Sequence, residues 1–135
     1  MINAPIETNL EVVGKHIALE ATDVEAALDL YTDDIVWESP ARQLRFEGKA
    51  AVAANYRRMF SSLDFATFEL EPIERFATED RVVDDCRVRF TLTGDGFANA
   101  PAKPGDRVEL RLVHVFEMRD GKISRESTFE IWRKL

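Results

Sequence analysis

Cysteine and histidine are nearly missing from this chain, with one Cys and two His among 135 residues. Cys86 has no partner within the chain, which excludes an internal disulfide and makes a reducing, cytoplasmic setting the expectation. The same shortage excludes a Cys-rich zinc centre, and no metal or organic cofactor is expected. Positive charge is also scarce. Lys and Arg number 18 against 25 Asp and Glu, a formal net charge of −7, and the isoelectric point is about 4.9. Such a surface repels polyanions, so neither nucleic acid nor an anionic membrane is expected as a partner. No apolar run is long enough to span a bilayer, and Met1 to Gly14 lack the basic start and apolar run of a signal peptide. Only six Gly and five Pro are present, and Gly94, Gly96, Pro101, Pro104 and Gly105 gather in one segment, Gly94–Asp106, read as a single long loop.

What is present is ordinary globular material, 45% hydrophobic and 32% charged, enough for a single domain over residues 1–135 with one sizeable core. Leu10, Val13 and Ile17 recur at helical spacing between Asn9 and Ala21. Thr22 and Glu25 have the spacing of a capping box for a second helix, whose apolar face would be Val24, Ala27, Leu28 and Tyr31, with Asp33-Asp34 as its stop. Ile35–Ser39 reads as a short strand closed by Pro40. After Gly48 a third helix carries Val52, Tyr56, Met59, Phe60 and Leu63 on one side. Phe65–Phe76, Arg81–Thr93, Arg107–Met118 and Lys122–Arg133 read as long strands, the last two joined at Arg119-Asp120-Gly121. Helices first and strands after is the α+β pattern.

Strand parity assigns the faces. Cys86, Val88, Phe90 and Leu92 alternate with Arg87, Arg89 and Thr91, and Val108, Leu110, Leu112, His114, Phe116 and Met118 share one side of the next strand. The helices must cover that apolar face, and a pocket is expected where they do not fill it. The direction of the last strand depends on its hairpin. A three-residue Arg-Asp-Gly loop with a bulge sets Glu126 opposite His114, with Thr128 also inward, whereas a two-residue Asp-Gly loop turns Ser127, Phe129 and Ile131 inward. In the second case Glu126 and Glu130 pair with outer arginines such as Arg111.

The run Asp23-Val24-Glu25-Ala26-Ala27-Leu28, then Tyr31 through Pro40, then Phe46-Glu47-Gly48 and Tyr56, together with Phe116 through Ile123, is similar to the nuclear transport factor 2-like superfamily, in its SnoaL-like and ketosteroid-isomerase-like branch. The resemblance implies a cone-shaped fold, three helices on a strongly curved, mostly antiparallel sheet, with a ligand cavity between them and a homodimer outside. It also implies where the isomerase's working groups fall. The general-base aspartate falls on Ser39, the oxyanion tyrosine on Lys15, the protonated aspartate on His114, and the supporting tyrosine on Tyr56. The isomerase relies on a carboxylic acid held neutral by its apolar site, and this chain has no carboxyl at that position. Steroid isomerisation is therefore not expected. The epoxide-hydrolase members' Asp-Arg-Asp relay finds no matching aspartate near Arg87 and Arg89, and its last-strand aspartate falls on Thr128.

His114 is the one polar group in an apolar stripe, where burial is expected to lower its pKa. It is either an acid/base group or a core histidine satisfied by Tyr56 or a backbone carbonyl. Tyr56 and Glu126 are its expected catalytic supports, and Trp37, Ser39, Val88, Phe90, Leu112, Phe116 and Thr128 the expected ligand contacts. Lys15 and His16 straddle the inner edge of the first helix, with Lys15 expected to reach solvent. Cys86 is expected to act as a small buried hydrophobe. The function expected is binding of a small, largely apolar organic molecule, with proton-transfer chemistry of the isomerase, cyclase or dehydratase kind; the alternative is a non-catalytic ligand-binding or dimerisation module.

Overall fold

A computed structural model describes residues 4–135; Met1, Ile2 and Asn3, which the single-domain expectation includes, lie outside the described residues. Helix α1 (Ala4–Leu19) and the short α2 (Val24–Leu28) lead into β1 (Tyr31–Ser39). A 3-10 turn (Pro40–Arg42) and β2 (Leu44–Glu47) precede α3 (Lys49–Phe60), followed by β3 (Leu63–Ala77), β4 (Arg81–Leu92), β5 (Arg107–Arg119) and β6 (Lys122–Lys134). The six strands form one curved, unclosed sheet in the order β2-β1-β6-β5-β4-β3. Only β1 and β6 run parallel. The α+β expectation holds. No helix among the described residues is long and apolar enough to cross a membrane.

Several boundaries differ from the sequence reading, each for a local reason. The cap of α2 is Asp23, whose Oδ1 accepts the Ala26 amide at 3.1 Å, while the Thr22 hydroxyl turns back to the Ala18 carbonyl. Tyr31 belongs to β1, where it pairs with Ile123 across the parallel ladder. Gln43 in the left-handed region (φ 56°) reverses the chain and lets Leu44–Glu47 fold back on β1 as a strand the sequence did not announce. Helix α3 stops at Phe60, and Leu63 opens β3. Helix α1 begins ahead of Asn9, which is buried and donates to the Glu79 carbonyl at 2.9 Å, pinning the helix over the β3–β4 turn.

The β5–β6 hairpin decides which side chains the core receives. Asp120 and Gly121 both have positive φ, 52° and 76°, as a two-residue turn requires. The register runs Arg119↔Lys122 and Met118↔Ile123, then skips to Glu117↔Arg125. Ser124 is therefore an extra residue, and its hydroxyl donates to the Glu117 carbonyl at 3.1 Å. This bulge turns Glu126 and Thr128 inward although the loop has only two residues. Each of the two hairpin expectations was thus half right. Thr128, not Glu126, lies across from His114; Glu126 lies across from Phe116. Phe129 and Ile131 point outward, 47% and 72% exposed.

Two apolar clusters meet beneath the helices. One gathers Val13, Ile35, Trp37, Val52, Tyr56 and Phe116 under α1 and α3, and the other Leu63, Val88, Phe90, Val108 and Leu110 toward the open end of the sheet. Edge strand β3 shifts register twice, between Asp64 and Glu69 and between Pro72 and Glu74, each shift bending the strand locally.

Because Ser124 is the supernumerary residue, its deletion leaves Arg125 facing out and Glu126 facing in. Deleting Ser127 instead flips Thr128, Phe129 and Glu130. The first deletion is expected to keep a cooperative urea transition with a loss of about 1–3 kcal/mol, and the second to abolish it, since the cost matches a domain's whole stability of about 5–15 kcal/mol. Equal behaviour of the two deletions in urea denaturation would contradict this register.

Candidate active site

Glu126 is almost fully buried, and α1, α3 and β1 each send it a proton donor. The hydroxyls of Tyr31 and Tyr56 donate to its Oε1 at 2.7 and 2.8 Å, and His16 Nε2 lies 3.4 Å from the same oxygen. His16 Nδ1 faces the Ala27 carbonyl at 3.3 Å; a carbonyl only accepts, so Nδ1 carries hydrogen. Burial pulls the His16 pKa down, but the hydrogen bond and charge of Glu126, with Glu20 behind, outweigh it and hold the ring above its ordinary value. Burial pushes Glu126 up, and His16, His114 and Tyr31 overcome that and hold the carboxyl below the usual range. Each partner thus favours the charged form of the other. Burial and the nearby Glu126 charge raise both tyrosines well above their ordinary value, so they remain donors.

Glu20 sits at the end of α1, one turn beyond His16, with its Oε2 3.5 Å from the same Nε2 and 18% of its side chain accessible. Burial, opposed by His16 and assisted by Glu126, lifts its carboxyl to about 7.

His114 faces Asp84 across the β4–β5 ladder, with Nδ1 3.4 Å from Oδ2, and Arg75 Nε donates to Asp84 Oδ1 at 2.8 Å. Here the sequence expectation is corrected. Burial does pull His114 down, but the Asp84 contact and the charges of Glu126 and Glu20 outweigh it, and its pKa is raised. Its neighbour is Asp84, at ion-pair distance but without hydrogen-bond geometry, and neither Tyr56 nor a backbone carbonyl satisfies it. Directly across from it on β6, the buried Thr128 hydroxyl has no hydrogen-bond partner.

A second polar group closes the other end. Arg42, only 2% exposed, donates through Nε and Nη2 to the two oxygens of Glu130 at 2.9 and 3.2 Å. Its guanidinium lies 5.7 Å from the Trp37 ring centre and 5.6 Å from that of Phe97. Glu130 thus pairs inside with Arg42 rather than outside with Arg111, which takes Asp85 at 2.7 Å. The Gly94–Asp106 loop is fastened to this end. Ala98 accepts from Arg42 Nη1, Asn99 donates to the Arg42 carbonyl, and Phe97 stacks on Phe90. A side chain at Gly96 would strike the Arg58 carbonyl, 1.9 Å from where its Cβ would stand.

Between these ends lies a cavity of about 180 Å³. His114, Tyr56, Glu126 and Thr128 line its polar end, and Trp37, Val88, Phe90 and Leu112 its apolar wall. Ser39 and Phe116 are buried but fall outside the lining. Phe116 packs behind His114, ring centres 5.7 Å apart. Lys15 is exposed, and its neighbour His16 is the residue that turns inward. Sequence reasoning missed His16, Glu20, Tyr31, Asp84 and Arg42 as site residues. Asp84 was within reach, since it shares the parity of Cys86 and Val88. So was the i, i+4 pair of His16 and Glu20.

Two sets of side chains have ligating atoms close enough together for a metal ion, His16–Glu20–Glu126 and Asp84–Cys86–His114, each within 4.8 Å. In the first, the donors already engage one another and two tyrosines. In the second, Asp84 is held by Arg75 and His114, and burial followed by the Asp84 charge pushes the Cys86 thiol to about 12. Hydrogen bonding and ion pairing among the side chains themselves account for the first set, and for Asp84 in the second.

A profile of the SnoaL-like domain matches residues 16–126. The chain belongs to the SnoaL-like family. This SnoaL-like chain matches no curated protein. Among solved structures, a protein of Jannaschia sp. CCS1 provisionally described as a SnoaL-like polyketide cyclase superposes with a TM-score of 0.81 at 17% identity, covering 96% of this chain and 90% of the other. An LEH-like epoxide hydrolase of M. tuberculosis gives 0.69 at 20% identity over 93% and 84% of the two chains. SalBIII, an epoxide hydrolase/cyclase-like enzyme in pyran ring formation in the polyether salinomycin, gives 0.70 at 21% identity over 93% and 92%. At such identities the likeness is one of fold.

The site fixes a pH dependence of stability. Glu20, raised from 4.5 to about 7, favours the fold while protonated and loses that contribution as pH rises through about 7. His16 and His114, raised above 6.5, contribute below that value and lose it as pH rises through their folded values. Asp84 and Glu126, both depressed, contribute above their ordinary values and lose it in acid. The melting temperature is therefore expected to peak near about pH 5 and fall toward pH 8. Melting curves by circular dichroism that rise from pH 5 to 8 would contradict the assignment.

Proposed function

We propose that this SnoaL-like chain holds a small, largely apolar organic molecule in the cavity and catalyses proton transfer on it, of the isomerisation, cyclisation or dehydration type. The observation that carries this reading is the convergence of two separately anchored acid–base groups, Glu20 and Glu126 with His16 behind them and Asp84 with His114, on one largely apolar cavity. An apolar wall desolvates a ligand and strengthens each charge that faces it. Glu20 and Glu126 offer carboxylates. His114, its protonated form favoured by Asp84, and the unpartnered Thr128 hydroxyl offer two donors for one ligand oxygen that gains negative charge as a proton leaves carbon. That division of labour needs no metal or organic cofactor. The cyclase and hydrolase names of its structural neighbours agree with the reaction class.

The competing reading, a non-catalytic binding module, rests on Ser39, where the resemblance implies a base and the side chain is a buried hydroxyl without a hydrogen-bond partner. Glu20 supplies a carboxylate from a different element and so favours the enzyme.

We further propose that two copies associate through the outer face of β5 and β6. Val113 pairs with Phe129 there, and Ile131 lies beside them, an apolar strip on a face otherwise charged. The unpaired Cys86 suits a reducing, cytoplasmic setting. Sedimentation equilibrium at tens of micromolar protein is expected to give twice the 15.4 kDa chain mass; a single-chain mass would overturn the association.

The catalytic reading is tested with 5-nitrobenzisoxazole. Removing its ring C–H proton breaks the N–O bond and releases a coloured cyanophenolate. Wild-type protein is expected to show saturable turnover faster than free carboxylate buffer, and His114→Gln to lower kcat by about 100-fold, the usual effect of losing one donor to a developing oxyanion. No saturable turnover by the wild type, or an unchanged kcat per folded molecule in the variant, would overturn it.

A further inference from the structure

Besides Asp84, which Arg75 and His114 hold, two glutamates face the cavity's polar end, and they are not equivalent. Glu126 Oε1 accepts from Tyr31 and Tyr56 and faces His16 Nε2 within 3.4 Å. A carboxylate so supplied with donors is a weak base, because each bond stabilises the anion that would have to take up the proton. Glu20 has one such neighbour, His16 Nε2 at 3.5 Å. It lines the cavity and keeps 18% of its side chain accessible, so it touches both the ligand space and solvent. Its position opposes ionisation for a further reason. It follows Leu19, the last residue of α1, and its amide still bonds the His16 carbonyl, which places its charge at the negative end of the helix dipole.

We infer that Glu20, at the end of α1, is the general base of this site, and that Glu126 is the fixed charge that positions His16 against it. The inference rests on the proton-transfer reading above and names the residue that carries it out. In the step, the ligand C–H bond breaks and its proton forms an O–H bond on Glu20. The electron pair stays on the ligand, and its negative charge settles on the oxygen facing His114 and Thr128. Glu20 then returns the proton to a second ligand atom or to water through its exposed edge. His16 takes no part in the transfer and is held between two carboxylates on one nitrogen. The groups surrounding Glu20 come from every neighbouring element: His16 on α1, Tyr31 on β1, Tyr56 on α3, Arg75 on β3, Asp84 and Cys86 on β4, His114 on β5 and Glu126 on β6. The carboxyl they enclose titrates at about 7, so it is both ionised and basic near neutrality, the condition for efficient general-base catalysis.

The test uses the same benzisoxazole probe with wild type, Glu20→Gln and Glu20→Asp. Wild-type kcat is expected to rise with pH through an inflection near 7, ahead of any fall where His114 loses its proton. Glu20→Gln, nearly isosteric at a partly exposed site, is expected to lower kcat at least 100-fold with KM changed by less than threefold, and to erase the inflection. Glu20→Asp keeps a carboxylate but withdraws it by one methylene, so kcat falls at least tenfold while an inflection persists. Wild-type turnover that survives unchanged in Glu20→Gln or Glu20→Asp overturns the assignment of Glu20 and leaves the proton-transfer reading standing. A wild type without turnover overturns that reading and this one with it.

Discussion

The buried Glu126 carboxylate is the constraint on which the rest of the structure turns. A charge withdrawn from water is tolerated only when donors surround it, and here three different elements each supply one: α1 through His16, β1 through Tyr31 and α3 through Tyr56. The requirement fixes where each helix sits over the sheet. It also explains why a chain with two histidines keeps one in a fully buried position, with Nδ1 anchored on the Ala27 carbonyl of α2. Removing one partner from such a centre costs about 3–5 kcal/mol, which ties the stability of the domain to the integrity of the site.

From this centre the cavity takes its polarity. Helices and sheet are held apart by the Glu126 network at one end and by the Arg42–Glu130 pair at the other, and apolar side chains fill the walls between them. The Arg42 pair does for the Gly94–Asp106 loop what Glu126 does for the helices. By accepting from Arg42, Ala98 brings the loop down so that Phe97 becomes part of the wall. The loop is thus a built wall of the site. The His114–Asp84 pair completes the arrangement from the sheet side, so that an imidazole whose protonated form is favoured and a carboxyl of raised basicity line one largely apolar space.

Much of this was legible in the residues. Period-two alternation in β4 and β5 named the inward face correctly, including His114, and the run of helices before strands pointed to the fold class. What escaped the reading has physical causes. The capping residue of α2 was misplaced by one because Thr22 and Asp23 are both competent caps, and a helix of five residues carries too little periodicity to arbitrate. The facing of β6 could not be settled because a bulge at one serine reverses the parity that the turn length implies. The raised pKa of His114 was missed because the sequence shows an apolar stripe, while the charge that governs it stands on the neighbouring strand. Arg42 and Glu130, separated by most of the chain, meet only through tertiary structure.

Of the two glutamates at the polar end, one is a fixed charge and the other a working base, and that division is directly observable. Carboxyl carbon NMR of protein labelled in its glutamate side chains, titrated from pH 4 to 9, is expected to show one resonance inflecting near 7 that vanishes in Glu20→Gln, while the Glu126 resonance shows no inflection above the ordinary carboxylate range. A neutral-range inflection on Glu126, or none on Glu20, would contradict the central claim.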